Sequence, residues 1–173
     1  MRVATLFSGI GAPEQAAARV WRDHEVVFAC EWDKFARQSY LANYEIDEAH
    51  FYSDVKELDG TQYQGKVDVL VYGSPCQSFS IAGKRLGTAD ERGQLIYSAF
   101  RILEEVKPKM FVYENVAGLL SIDNGETIKN MLREWGRLGY KITMDLINSK
   151  DYGIPQNRLR LFVVGKLIRS VCA

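Results

Sequence analysis

The residues best placed to do chemistry lie in Gly73-Ser74-Pro75-Cys76-Gln77-Ser78-Phe79-Ser80, directly after the apolar run Val67-Asp68-Val69-Leu70-Val71-Tyr72. A short β-branched run reads as a buried parallel strand, and Gly-Ser-Pro ends it, so Cys76 is delivered at the strand's carboxyl end. Pro75 fixes φ just before the cysteine and gives the thiol a stiff mount, as a nucleophile requires. The plain alternative is a buried structural cysteine, the common fate of an isolated Cys. A carboxylate, Glu114 in Glu114-Asn115-Val116, and two guanidinium groups, Arg158 and Arg160 in Gln156-Asn157-Arg158-Leu159-Arg160, stand beside later strands. A desolvated Glu114 would have a raised pKa and could donate a proton, whereas a solvated glutamate would only ionise. Arg158 and Arg160 point the same way across an extended segment and suit a carbonyl oxygen or a phosphate, the alternative being an edge-strand salt bridge.

Alternating strands and helices must position these groups. Val3 to Phe7 is an apolar strand ended by Ser8-Gly9-Ile10-Gly11-Ala12, and Pro13 to Trp21 reads as a helix with Pro and an acid in its first turn. Val26 to Cys30 is a second strand ended by Glu31-Trp32-Asp33, followed by helical spacing over 34–44; Phe51-Tyr52 is a third, before Ser53-Asp54-Val55. After the cysteine strand and a polar loop through Gly93 come a helix over 94–106, a strand over 109–113 and a helix over 127–138, then strands over 140–147 and 161–164. This order predicts an α/β, Rossmann-like, doubly wound and mainly parallel sheet of seven strands, with the last two antiparallel at one edge. In such a sheet ligands bind beyond the carboxyl ends of the strands, where these groups fall.

Composition narrows the function classes. A chain of 173 residues, 47% hydrophobic and 25% charged, fits one globular domain. Lys plus Arg (22) balances Asp plus Glu (22), so net charge makes no case for an anionic partner, and any nucleic-acid contact must be local or shared. Cys30, Cys76 and Cys172, an odd set with no CxxC pair and only two His in the chain, argue against a disulfide framework or a metal site and for a reducing compartment. The N-terminus meets Gly9 too early for a secretory core, and no apolar run could span a bilayer.

The first glycine turn implies a nucleoside cofactor. Gly9 and Gly11 allow close backbone approach, and Glu31 ends the next strand about twenty residues on, where an acid accepts from ribose hydroxyls. The turn lacks a third glycine. Pro13 removes a donor from the helix start and Glu14 would repel a phosphate, which disfavours NAD and an oxidoreductase and favours a ribose without pyrophosphate, such as S-adenosylmethionine. Trp32 could stack on adenine or be a core aromatic, and Asp54 could accept from the adenine amino group or cap a helix.

Together these pieces resemble the DNA cytosine C5 methyltransferases, in family order and over nearly the whole chain: Phe7 to Gly11, Glu31-Trp32-Asp33, Asp54-Val55, Gly73 to Ser80, Glu114-Asn115-Val116, and Gln156 to Arg160 preceded by Asp151 to Pro155. The resemblance implies the S-adenosylmethionine-dependent methyltransferase fold and transfer of a methyl group to C5 of cytosine, leaving S-adenosylhomocysteine. Cys76 would add to C6 of a cytosine flipped from duplex DNA, Glu114 would hold N3 and the amino group, and Arg160 would bind O2, with Arg158 on a phosphate or loop. Phe7, Gly9, Gly11, Glu31, Trp32, Asp54, Val55, Pro75 and Leu95 would form the cofactor pocket. Ser74, Gln77, Ser80, Lys84, Arg92 and Asn115 would meet the substrate, with Ser80 to Gly93 as a closing loop.

The family's target-recognition domain and its closing segment, which packs a helix beside the first strand, have no counterpart in these residues. The expectation is therefore one catalytic and cofactor-binding domain over 1–173 without target recognition, its uncovered apolar surface calling for a protein partner or self-association. The expected compartment is cytoplasmic, on bacterial DNA, or nuclear in a eukaryote. A transfer-RNA cytosine C5 methyltransferase and a non-catalytic regulatory fragment are the competing readings.

Overall fold

The computed structural model of the protein describes residues 1–75 and 94–168. The strands are β1 (Arg2–Leu6), β2 (Glu25–Cys30), β3 (Phe51–Tyr52), β4 (Val69–Tyr72), β5 (Met110–Val116), β6 (Tyr140–Asn148) and β7 (Leu159–Leu167). The helices are α1 (Ala12–Val20), α2 (Lys34–Asn43), α3 (Gln94–Val106) and α4 (Glu126–Arg137). The strands form one sheet in the order β3-β2-β1-β4-β5-β7-β6. β1 to β5 pair parallel, while β7 enters antiparallel between β5 and β6. The doubly wound seven-stranded α/β sheet expected from the sequence is the observed one.

Side-chain alternation splits the apolar residues between the two faces. Ala4, Leu6, Phe28, Leu70, Tyr72, Phe111, Tyr113, Leu161 and Val163 join α3 and α4 in the main core. Trp135 of α4 is fully buried there, its indole N–H donating to the Tyr72 hydroxyl at 2.8 Å, which satisfies a polar group that burial would otherwise leave unpaired. On the other face Ala29 and Phe51 pack with Tyr40 of α2 and with the nearby Tyr44 and Ile46.

Two strands run longer than their apolar runs suggest. β5 extends to Val116 instead of ending at Tyr113, and β7 covers Leu159–Leu167 instead of 161–164. The cause is their antiparallel pairing, continuous from Met110 opposite Lys166 to Val116 opposite Arg160. A ladder carries polar residues into a strand that hydrophobic runs alone do not reveal. Glu114 and Asn115 therefore lie within β5, and Arg160 within β7, while Arg158 falls just outside.

Candidate active site

β4 delivers Gly73-Ser74-Pro75 beside the end of β5, since Tyr72 pairs with Tyr113. A Cβ on Gly73 would lie 2.9 Å from the Glu114 carbonyl oxygen and 3.3 Å from its Oε2, so only glycine lets the strand ends approach this closely. Asn115 fixes the turn from beneath: its Nδ2 donates to the Ser74 carbonyl at 2.9 Å and to the Tyr113 hydroxyl at 2.6 Å. The Ser74 and Tyr113 hydroxyls share a further bond at 3.2 Å. Ser74 and Asn115, expected against the substrate, are both buried and spend their polar groups on each other, on Tyr113 and on the Val116 N–H. Their position suits holding the turn, not touching a ligand.

Glu114 and Arg160 meet although 46 residues separate them. Glu114 pairs with Phe162, so Arg160 is its diagonal cross-strand neighbour on the same face, with Nε 3.1 Å from Glu114 Oε1. The Glu114 side chain is 37% exposed, so the desolvated carboxylate expected from the sequence is replaced by an accessible, ion-paired one. The Arg160 ion pair is not at a sheet edge, because β7 is an interior strand. Arg158 is exposed, its backbone N–H donating to Asn148 Oδ1 at 3.1 Å, and it lines a groove with Glu114. Cys76, Gln77, Ser80, Lys84 and Arg92, and the expected loop of 80–93, lie outside the described residues.

The second part of the site is a slot of about 470 Å³ at the carboxyl ends of β1, β2 and β3. Phe7, Glu31, Trp32, Asp54, Val55, Pro75 and Leu95 line it, together with Cys30, Asp33, Ser53 and Lys56. Trp32 is 76% exposed, which removes the core-aromatic alternative and leaves its ring face free at the slot. Glu31 ties the two turns together: Oε2 accepts from the Gly9 N–H and Oε1 from the Asp33 N–H, both at 2.7 Å. Asp54 Oδ1 accepts from the Lys56 N–H at 2.9 Å, so one oxygen stabilises its own turn. Phe7 holds a φ of 56°, a conformation that side chains rarely adopt and that collects at ligand-binding turns. Burial pushes the Cys30 thiol up to about 12, so this cysteine is a packing group.

The turn's underside holds a group that sequence reasoning misread. Glu14 is 1% exposed, with Oε1 accepting from Thr5 Oγ1 at 2.6 Å and from the Tyr40 hydroxyl at 3.0 Å. Burial raises its pKa, partly offset by these bonds. Its charge therefore does not face an incoming phosphate, and the arguments against a pyrophosphate that stand are the missing third glycine and the missing donor at Pro13. An acid in a first helical turn reads as solvated, and nothing local announces that Thr5 and Tyr40 turn it inward.

A third feature is an apolar groove of about 550 Å³ beside α1. Val69, Val71, Val112 and Phe162 form its floor and Ala16, Val20 and Trp21 one wall, with Val20 68% exposed. Among the described residues, no cluster of three or more His, Cys, Asp or Glu could hold a metal ion, and no helix is long and apolar enough to cross a membrane.

A doubly wound sheet with its last strand inserted antiparallel between β5 and β6, and an acid at a nucleoside-sized slot beside a glycine turn, defines the S-adenosylmethionine-dependent methyltransferase fold. The sequence profile of the C-5 cytosine-specific DNA methylases matches residues 1–170, and the chain belongs to that family. It is 44% identical over 165 residues to the orphan methyltransferase M.SPRI of Bacillus phage SPR, covering 95% of this chain and 37% of the relative. It is 40% identical over 160 residues to the type II methyltransferase M.BsuFI of Bacillus subtilis, covering 92% and 38%. Among solved structures, a putative DNA modification methyltransferase encoded within a prophage of E. coli superposes with a TM-score of 0.76 at 26% identity, over 96% of this chain and 47% of that one. The S. pombe Dnmt2 methyltransferase shares the fold, with a TM-score of 0.80 at 22% identity over 96% and 51%. The chain thus spans well under half the length of these two curated relatives.

Proposed function

We propose that the chain is the cofactor-binding and catalytic portion of an enzyme that methylates C5 of cytosine in DNA. The observation that carries this reading is the packing of Gly73 against Glu114 with Arg160 at 3.1 Å, which sets a carboxylate and a guanidinium at the strand end three residues before Cys76. S-adenosylmethionine, when bound, supplies the methyl group. The slot fits its adenosine portion: Glu31 lies where ribose hydroxyls would donate, Trp32 offers an uncovered ring face, and Asp54 an acceptor for the amino group. Phe7, Val55, Pro75 and Leu95 supply the rest of the walls, while Gly9 and Gly11 form the turn beside the slot, Gly9 donating to Glu31 and Gly11 making room for Tyr44.

Cytosine C5 is a weak nucleophile, so the Cys76 thiolate adds to C6 and turns the ring into an enamine. Glu114 accepts from the amino group and supplies a proton to N3 as charge builds there; Arg160 binds O2 and electrostatically favours the thiolate. C5 then takes the methyl group, which leaves S-adenosylhomocysteine; water or another base removes the C5 proton, and the electrons of that C–H bond expel the Cys76 thiolate from C6. A base must leave the duplex to reach these groups, and Arg158, Lys84 and Arg92 serve as phosphate contacts, with Gln77 and Ser80 near the base. A reaction on duplex DNA fits the cytoplasm of a bacterium, beside its chromosome, or the nucleus of a eukaryote.

An apolar helical segment, from a longer protein or a partner chain, covers the groove beside α1. The exposed Val20 and the relatives' greater length favour this, and the bare chain should bind cofactor weakly and turn over poorly. The test is a covalent adduct with duplex DNA carrying 5-fluorocytosine, formed with cofactor and separated on a denaturing gel. An adduct with the native chain that is lost in Cys76→Ser supports the mechanism; an adduct that persists in Cys76→Ser refutes it. Adducts with RNA alone would favour the transfer-RNA reading, and none even with a complementing segment would favour a non-catalytic fragment.

A further inference from the structure

The loop that carries Asp54 and Val55 belongs to no strand or α-helix, yet its backbone carbonyls are answered by one side chain of a distant helix. Arg101 of α3 donates through Nη2 to the Val55 carbonyl at 2.8 Å and the Lys56 carbonyl at 3.4 Å, and through Nη1 to the Leu58 carbonyl at 2.9 Å. The same Nη1 lies 3.0 Å from both carboxylate oxygens of Glu105, one turn on, and Glu105 Oε2 accepts from the Gly60 N–H at 2.8 Å. Gly60 is fitted to this contact, since a Cβ there would meet Glu105 Oε2 at 2.8 Å. One guanidinium and one carboxylate therefore grip the loop from Val55 to Gly60 at both ends.

The grip bears on the slot because its two ends share a helix. Leu95, in the first turn of α3, lines the slot together with Val55, and Val55 is the residue whose carbonyl Arg101 holds. Arg101 thus ties Val55 to the helix that carries Leu95. Its planar fork satisfies three carbonyls and a carboxylate at once, which the single ammonium of a lysine cannot do.

We propose that Arg101, braced by Glu105, is a positioning residue that sets the width of the adenine slot and holds Asp54 where it distinguishes an amino group from a carbonyl. The proposal rests on the reading of this slot as the adenosine site. Arg101 touches no ligand and acts through Val55 and Asp54. Its loss should weaken adenosine-containing ligands and erode selectivity for adenine over hypoxanthine, a change that simple loss of stability does not cause.

The test uses the full chain and two probes, S-adenosylhomocysteine and S-inosylhomocysteine, with binding read by ligand-observed NMR, which tolerates weak affinity. Asp54→Ala and Trp32→Ala report on the slot itself. Arg101→Lys should raise the Kd for the adenine ligand roughly tenfold and the Kd for the hypoxanthine ligand far less. If Asp54→Ala and Trp32→Ala weaken binding while Arg101→Lys leaves both the Kd and the selectivity within about twofold, the positioning role is overturned and the slot assignment stands. If Asp54→Ala and Trp32→Ala have no effect, the slot assignment falls and this inference falls with it. Should Arg101→Lys fold poorly, Glu105→Gln and amide exchange at Gly60 decide: faster exchange with reduced selectivity supports the brace, and unchanged exchange overturns it.

Discussion

Gly11 offers the sharpest perturbation of the turn between β1 and α1. It caps α1 with φ 95° and ψ 28°, left-handed values that cost a side chain about 1–2 kcal/mol. An added Cβ would also lie 2.1 Å from Cε2 and 2.8 Å from Cδ2 of Tyr44, inside the ring's own volume. Tyr44 would have to swing out, breaking its hydroxyl's bond to the Gly11 carbonyl at 2.8 Å and its tilted contact with Tyr40 at 5.0 Å between centroids. A lost hydrogen bond of about 1 kcal/mol and an aromatic contact of similar size bring the cost of Gly11→Ala to about 3–4 kcal/mol. In a Tyr44→Ala background the clash partner is gone, and the same substitution should cost only the backbone strain of about 1–2 kcal/mol. Urea unfolding of the wild-type chain, both single variants and the double variant forms a complete cycle, with an expected coupling of about 2 kcal/mol. Equal costs in the two backgrounds would refute the argument that Tyr44 is what makes glycine obligatory here.

Two titrating groups should move stability with pH in opposite senses. Burial raises the Glu14 pKa above its ordinary 4.5, so the folded state retains the proton longer and wild-type stability declines as pH rises above that value. Glu14→Gln keeps an acceptor for Thr5 and Tyr40 without that penalty, so its melting temperature should gain on wild type as pH rises from 4 to 8; a constant gap would count against the buried carboxyl. Asp68 behaves oppositely: the Arg2 guanidinium foremost, then Lys109, hold its pKa well below 3.8, so its contribution is present above that pH and fades in acid. Asp68→Asn should cost about 1 kcal/mol near neutral pH, modest because both cations are partly exposed, and progressively less as pH falls below 3.8, as read by acid titration of the melting temperature.

Much of this architecture was legible because it is written in local runs. Six strands and the four α-helices of the described residues announce themselves through apolar periodicity and the turns that end them, and β3, only Phe51 and Tyr52, shows as a brief aromatic pair before Asp54. Glu31, Trp32 and Asp54 were likewise legible as residues just past strand ends that face one slot. What stayed hidden depends on which distant segment a polar group meets. Asn115 and Ser74 turn toward each other because Tyr113 of β5 offers its hydroxyl to both, and Glu14 turns inward because α2 brings Tyr40 over α1. Arg101 reads as a charge on an amphipathic helix until the loop of 55–60 is folded over it.

The pairing of Glu114 with Arg160 shows how much one topological choice decides. The sequence places the last two strands antiparallel at an edge, but not which of them touches β5. With β6 beside β5, Arg160 would lie one strand farther away, with no route to the carboxylate. β7 enters instead, and its register, Val116 opposite Arg160, sets the guanidinium diagonally against Glu114. Two consequences follow from that register. Each group neutralises the other while the site is free, so neither charge is left without a partner. On the function proposed above, an arriving cytosine draws the two groups apart, its amino group donating to Glu114 and its O2 accepting from Arg160. On that reading the register of a single antiparallel strand decides whether both groups reach the same ring.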